Sequence, residues 1–266
     1  NVTFIDRVDG FKKAICVLDD AITAVNANAI SSSFTANIPA GIDIVNTLYA
    51  LKARYSLFAG LYTQALTAAG QVDISKKSTF NFDALSLNPI FETATSTNNV
   101  VQVKDSTLGL LAPLQPALND GRIAFYTSIN PTIAPRFRIN GFGAAATTAF
   151  PVYLPGEITL IKAECYARAA SPDLVNGLAQ LNIVVTKNND PFNVNANQPA
   201  IASVSTQAEL LDQIYRHRCI ELYMSGLKLE DMRRFGRPNA ERKRNLMPYP
   251  LRERDNNPNT PADPVF

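Results

Sequence analysis

The sequence has no tryptophan, a single histidine and only three cysteines. These scarcities exclude whole classes of chemistry. A Ser–His–Asp or Cys–His nucleophile would have to recruit His217, the only imidazole. Arg216 and Arg218 flank it and disfavour its protonated form, so His217 reads as an interhelical or surface side chain. One histidine with Cys16, Cys165 and Cys219 far apart cannot supply a recognisable zinc ligand set, and no cofactor or metal is expected. Each cysteine falls on or beside an apolar helical face, where a free thiol behaves as a small buried hydrophobe. No Gly-rich run ends in Gly-Lys-Ser/Thr, which removes a P-loop. Gly141-Phe142-Gly143 lacks both a third glycine and a preceding strand, and reads as a flexible loop. No apolar run reaches the roughly 20 residues a membrane span needs. The start shows no signal peptide or lipid-attachment pattern, and the early entry into a helix suggests a processed or truncated product.

What is present is ordinary globular composition. The 266 residues are 46% hydrophobic and 18% charged, enough for one large domain or two small ones. The net charge of +2 is unevenly spread, because residues 216–254 hold eleven Lys and Arg against five Asp and Glu. These arginines read as structural or solvated rather than as the mark of an anionic partner. Arg242-Lys243-Arg244 is a short basic run in a proline-rich tail that also carries Glu241, Glu253 and Asp255, so nucleic-acid binding is not expected.

Helical periodicity dominates both ends. Phe11, Ile15, Leu18, Ile22 and Val25 step by three and four, which predicts an amphipathic helix over about 8–27. Ile44, Leu48, Leu51, Tyr55 and Phe58 repeat the pattern, Gly60 breaks it, and Leu61, Ala65, Ala68 and Val72 resume it. That is a hairpin over about 42–72, with Ala53, Ala59, Ala65, Ala68 and Ala69 letting two antiparallel helices approach as in a tetratricopeptide unit. A second hairpin spans about 155–187. Leu154, Ile158, Ile161, Cys165 and Ala169 line its first helix, Ser171 and Pro172 open its second, and Leu174, Leu178, Leu181 and Val185 face inward.

Between the hairpins, residues 73–154 lose the helical period. Val100–Val103 and Arg122–Tyr126 are β-prone there, and the segment reads as an irregular lobe packed on the scaffold. Thr206 and Glu209 have the spacing of a capping box, followed by Leu211, Tyr215, Cys219 and Leu222 on one face and Gly226 at a helix end. The tail from Pro238 has six prolines and reads as coil. The expected architecture is mainly α: a single domain over 1–266, with a helical scaffold at 8–72 and 155–237, a lobe at 73–154 and a coil tail at 238–266.

Candidate carboxylates for hydrolysis exist at Asp83, Glu92, Asp105, Asp120 and Glu157, but no spacing selects a pair. The lobe's aromatic residues carry more information: Phe80, Phe82, Phe91, Phe125, Tyr126, Phe137, Phe142, Phe150 and Tyr153. Rings that stack on the C–H face of a sugar, beside Asn, Asp and Arg side chains that bind hydroxyls, make a carbohydrate site. The alternative for any one ring is the lobe's own core. Phe125, Tyr126, Arg136 and Phe137 are the candidate ligand residues, and no catalytic residue is assigned.

The stretch from Ile214 to Phe235 resembles the C-terminal signature of the SusD/RagB family, the surface glycan-binding lipoproteins of Bacteroidetes. Ile214, Arg218, Glu221, Leu222, Gly226, Asp231, Arg233 or Arg234, and Phe235 fall on its pattern. Leu154 to Glu164, Leu174 to Val185, Leu51-Lys52-Ala53-Arg54 with Leu57 and Gly60, Asp120-Gly121-Arg122, and Pro248 to Asn259 resemble further family segments in the family's order. His217, Ser225, Lys228 and Lys187 depart from it, and the chain is roughly half the usual length. The resemblance implies a SusD-like α–α superhelix and a non-enzymatic protein. It would bind an oligosaccharide or polysaccharide at the extracellular face of the outer membrane and deliver it to a SusC-like TonB-dependent transporter. Membrane attachment would be only through an N-terminal lipid absent from this chain. Arg218, Glu221, Asp231 and Arg234 would be structural ion pairs. The alternatives are a helical-repeat protein-interaction module, a peptide-binding member of the same family, and a hydrolase using lobe carboxylates.

Overall fold

A computed structural model describes residues 3–96, 102–132, 136–241 and 248–262. Val100 and Val101, and the basic run Arg242–Arg244, lie outside the described residues. The first helix, α1, runs Arg7–Ala27 and is capped by Asp6, whose side chain accepts from the Val8 N–H at 2.8 Å. A short α2 (Ser32–Asn37) leads to the first hairpin, α3 (Ile44–Phe58) and α4 (Tyr62–Gly70). Gly60 makes the corner between them with φ of +75°, a conformation that costs glycine nothing. Ala53, Ala65 and Ala69 are fully buried where the two helices touch, so the small residues do set the close approach.

The chain then leaves the scaffold through β1 (Thr79–Phe80) and returns through β4 (Phe150–Pro151). These two strands pair antiparallel, with Thr79 opposite Pro151 and Phe80 opposite Phe150. Inside that neck lie α5 (Gly121–Tyr126) and an antiparallel hairpin of β2 (Thr127–Ile129) and β3 (Phe137–Ile139). Arg122–Tyr126 is thus helical, not extended. Asp120 caps the turn by accepting from the Arg122 N–H at 3.0 Å, a local bond that outweighs the β-propensity of Ile123, Phe125 and Tyr126. Gly141–Gly143 is a 3-10 turn rather than a flexible loop, because Gly143 is buried and a Cβ there would lie 2.8 Å from Ile90 and 3.0 Å from Ile139. Buried Asn88 pins it further by donating to the carbonyls of Phe142 and Thr148 at 2.8 and 2.7 Å.

The second hairpin is α6 (Pro155–Ala167) and α7 (Leu174–Thr186). Its cap is Asp173, which accepts from Asn176 N–H at 3.0 Å, rather than Ser171. The carboxylate sits one residue before the first helical turn, where it also complements the helix dipole. Next comes α8 (Gln207–Glu221), where Thr206 accepts from Glu209 N–H at 3.1 Å while Glu209 reaches back to the Ser205 N–H at 2.7 Å. From Ile214 onward α8 is buried on nearly every face. It ends at Glu221, five residues before Gly226; both Met224 (φ 63°) and Gly226 (φ 81°) then turn the chain into α9, Lys228–Arg234. The tail is not all coil: α10 occupies Leu251–Asn256 after Pro250, a helix of six residues and too short to leave a period in the sequence.

The architecture is therefore mainly α, tetratricopeptide-like helical hairpins with an irregular excursion between them. One core joins α3, α4 and α6 through Leu57, Ala65, Ile158 and Ile161, and another joins α6, α7 and α8 through Leu160, Leu181, Leu210 and Ile214. A third carries the excursion onto α8 and α9 through Leu114, Tyr126, Ile139, Ile220 and Met232. Cys165 and Cys219 are buried free thiols as the pattern requires, but Cys16 is exposed. Its flank of α1 lies beside the stripe of Ile15, Leu18 and Ile22 that packs inward.

Candidate functional site

A cleft of about 330 Å³ opens where α3 meets the excursion, within the roughly 300–1,000 Å³ of small-molecule sites. Three local structures build it. On α3, Leu51, Arg54 and Tyr55 are spaced to share one helical face. On the neck, the β1–β4 register sets Phe80 directly across from Phe150, so both rings project to the same side of the ladder. Beyond α8, the left-handed Met224 and Gly226 shape a turn that brings Tyr223, Ser225 and Leu227 to the opposite wall. Tyr126, Phe142 and Tyr153 form the back. The rings meet edge to face: Tyr126 and Tyr223 at 5.5 Å, Phe142 and Phe150 at 5.9 Å. Phe80 is 49% exposed and stands at the mouth.

The floor holds one ion pair. Arg54 donates from Nε and Nη2 to the two oxygens of Glu157 at 2.6 and 2.7 Å, and from Nη2 to the Val152 carbonyl at 2.8 Å. Burial works against the Arg54 cation, but the adjoining Glu157 carboxylate more than offsets it and the guanidinium stays charged. Burial first, then Asp43 and Asp73, push the Tyr153 phenol up to about 12, and burial raises Tyr223 as well. All these hydroxyls are protonated at neutral pH and able to hydrogen-bond.

The candidate ligand residues do not converge. Tyr126 reaches the cleft, but it is 2% exposed and its hydroxyl donates to the Glu221 carbonyl at 2.5 Å, so it is a wall of the cavity and not an open stacking face. Phe125 and Phe137 are partly buried against the excursion's own core, Phe125 packing edge-on to Phe142 at 5.1 Å. Arg136 is exposed and lies over the Phe137 ring at 5.8 Å, outside the residues that line the cleft. Sequence reasoning missed Arg54, Tyr55 and Tyr223 as site residues. Phe80 and Phe150 were visible only as two rings among nine.

Arg218, Glu221, Asp231 and Arg234 fall into two separate networks. In one, Arg218 grips Asp231 through Nε and Nη2 at 2.8 and 3.0 Å, while Arg234 bridges Asp231 (2.9 Å) to Glu164 (2.7 Å). This joins α8 and α9 to α6. In the other, Glu221 accepts from Arg122 at 3.2 Å and from Lys187, tying α8 to α5 and to the loop after α7. Arg122 is itself held by Asp120 at 2.9 and 2.7 Å and donates to His217 Nδ1 at 3.1 Å. His217 is buried, and that burial first, then Arg122 and Arg216, hold its pKa well below the usual range. Of the candidate carboxylates, Asp120 and Glu157 are ion-paired, while Asp83 and Asp105 cap their own turns. No group of His, Cys, Asp and Glu among the described residues has the geometry of a metal site.

No protein-family model matches the sequence, and no curated protein does. Solved structures do. A SusD-like carbohydrate-binding protein from Bacteroides vulgatus superposes with a TM-score of 0.61 at 17% identity, over 85% of this chain and 51% of its own. A SusD-like carbohydrate-binding protein from Bacteroides fragilis gives 0.57 at 15% identity, over 89% and 60%. A SusD superfamily protein from Bacteroides vulgatus gives 0.55 at 13% identity, over 91% and 60%. The fold is thus the SusD-like helical fold. This chain spans between about half and three fifths of the length of these structures.

Proposed function

We propose that the protein is a SusD/RagB-type binding protein that holds an oligosaccharide in the α3–neck cleft without turning it over. The observation that carries this is the cleft itself: Phe80, Phe150, Tyr55 and Tyr223 ring a cavity whose floor is a closed Arg54–Glu157 pair. Aromatic faces suit the C–H faces of sugar rings, and the tyrosine hydroxyls and Ser225 suit their hydroxyl groups. Two of the fold's structural neighbours are described as carbohydrate-binding. Glycosidases set two carboxylates on either side of the bond they break. Here Glu157 is the one carboxylate lining the cleft among the described residues, and Arg54 occupies both its oxygens.

On this reading the protein would be lipid-anchored at the extracellular face of the outer membrane and pass its glycan to a SusC-like TonB-dependent transporter. No helix among the described residues is long and apolar enough to cross a membrane. Affinity electrophoresis in gels cast with neutral and acidic polysaccharides tests binding, and a reducing-sugar assay on the same mixtures tests turnover. Retardation without sugar release is the expected result. Release of reducing ends overturns the non-enzymatic assignment, and retardation only by peptides moves the protein to a peptide-binding role. Co-purification with a barrel transporter from the native outer membrane tests the partner.

A further inference from the structure

Resting on that reading, we propose that the cleft selects uncharged sugars and rejects uronic-acid and sulfated ones, with Phe80 as the stacking platform and Glu157 as the residue that sets the preference. Among the described residues, the charged groups lining the cavity are Arg54 and Glu157, and they neutralise one another. Glu157 is 1% exposed and keeps both oxygens on Arg54. Two of the guanidinium nitrogens are therefore spent on the carboxylate, and Nη2 is shared with the Val152 carbonyl.

A sugar carboxylate or sulfate entering this space would leave water for an apolar, ring-lined cavity. It would find Nε and Nη2 of the guanidinium already occupied, Nη1 alone without a hydrogen bond to a described residue, and a buried anion behind it. An unpaired charge buried in this way is strongly disfavoured. A neutral sugar meets the opposite situation. The hydroxyls of Tyr55 and Tyr223 make no hydrogen bond to a described residue, Tyr55 lying close enough to Arg54 to interact with its charge, and either can donate to or accept from a sugar hydroxyl. Phe80, half exposed and set across the ladder from Phe150, offers an apolar ring at the entrance.

The test is isothermal titration of the full chain with matched pairs: neutral oligosaccharides, and the same backbones with C6 oxidised to the carboxylate. The neutral member of the bound pair should bind at least about tenfold more tightly. Phe80→Ala should weaken that binding by about tenfold or more while leaving the fold intact, since the ring is half exposed. Glu157→Gln should uncover Arg54 and narrow or reverse the preference. Where Glu157→Gln fails to fold, salt dependence decides: binding of the neutral ligand should not respond to ionic strength, whereas anion capture by Arg54 would weaken as salt rises. An acidic glycan bound as tightly as its neutral counterpart overturns the selectivity and leaves the glycan-binding reading standing. Binding of neither member of any pair overturns both.

Discussion

Arg54 and Glu157, 103 residues apart in sequence, are locked by two parallel hydrogen bonds of 2.6 and 2.7 Å that join α3 to the first turn of α6. The pair does two things at once. It fastens the first hairpin to the second, and it leaves the floor of the cleft with no net charge. Glu157→Ala leaves a buried guanidinium without its partner and should cost about 3–5 kcal/mol in denaturant titration. Replacing both residues with apolar ones of similar volume should recover much of that loss, because the penalty comes from the orphaned charge and not from the missing attraction.

Gly156 is required by Glu221. A Cβ on Gly156 would lie 1.9 Å from the Glu221 Oε1 and 2.5 Å from its Cδ, and that carboxylate is held in place by Arg122 and Lys187. Gly156→Ala should therefore destabilise by about 3 kcal/mol or more, on the scale of breaking a buried ion pair. Gly10, in α1, has nothing within 4 Å of the equivalent position. Gly10→Ala should stabilise by up to about 1 kcal/mol through helix propensity alone. Thermal melts of the two variants should move in opposite directions.

Acid should act in two stages. His217 is held neutral in the fold, first by burial and then by Arg122 and Arg216. The unfolded chain binds a proton at this residue below about pH 6.5, so stability falls as pH drops through that value. Burial alone would raise Glu164 and Asp231. Arg234 and Arg218 overcome it and hold both carboxylates below their ordinary values. Their contribution is present above about pH 4 and is lost as pH falls further. Stability measured against pH should show both losses, and a His217→Gln variant that folds should lack the first.

Tyr126→Phe separates wall from platform. Its hydroxyl donates to the Glu221 carbonyl at the end of α8, and removing it leaves that buried acceptor unmet, at a cost of about 1–3 kcal/mol. The ring remains, so glycan affinity measured by titration should not change. Arg136→Ala should change neither quantity, since Arg136 is exposed and lies outside the cleft.

The helices were legible where apolar residues recur at helical spacing over several turns. That holds for α1, the Gly60 hairpin, α6 with α7, and α8 with its Thr206 cap. Short elements were not. The six residues of α5 and of α10 are too few to show a period, and a polar residue or proline just before each starts it: Asp120 for one, Pro250 for the other. The site was legible only in kind. Aromatic density in the excursion pointed to a ring-lined surface, but which rings face the same space depends on the pairing of Phe80 with Phe150 and on the distant turn at residues 222–227. Neither leaves a local trace. Arg54 belongs to a recognisable helix motif, and it forms the cleft floor only because α6 delivers Glu157 to it.

Amide hydrogen exchange of the full chain, with and without a saturating neutral oligosaccharide, tests the placement of the site most directly. Slowed exchange at residues 51–55, 78–80, 150–157 and 222–227, which carry the cleft, is the expected result. Protection confined to residues 125–132 and 136–139, on the β2–β3 hairpin and the turn of helix before it, would contradict it.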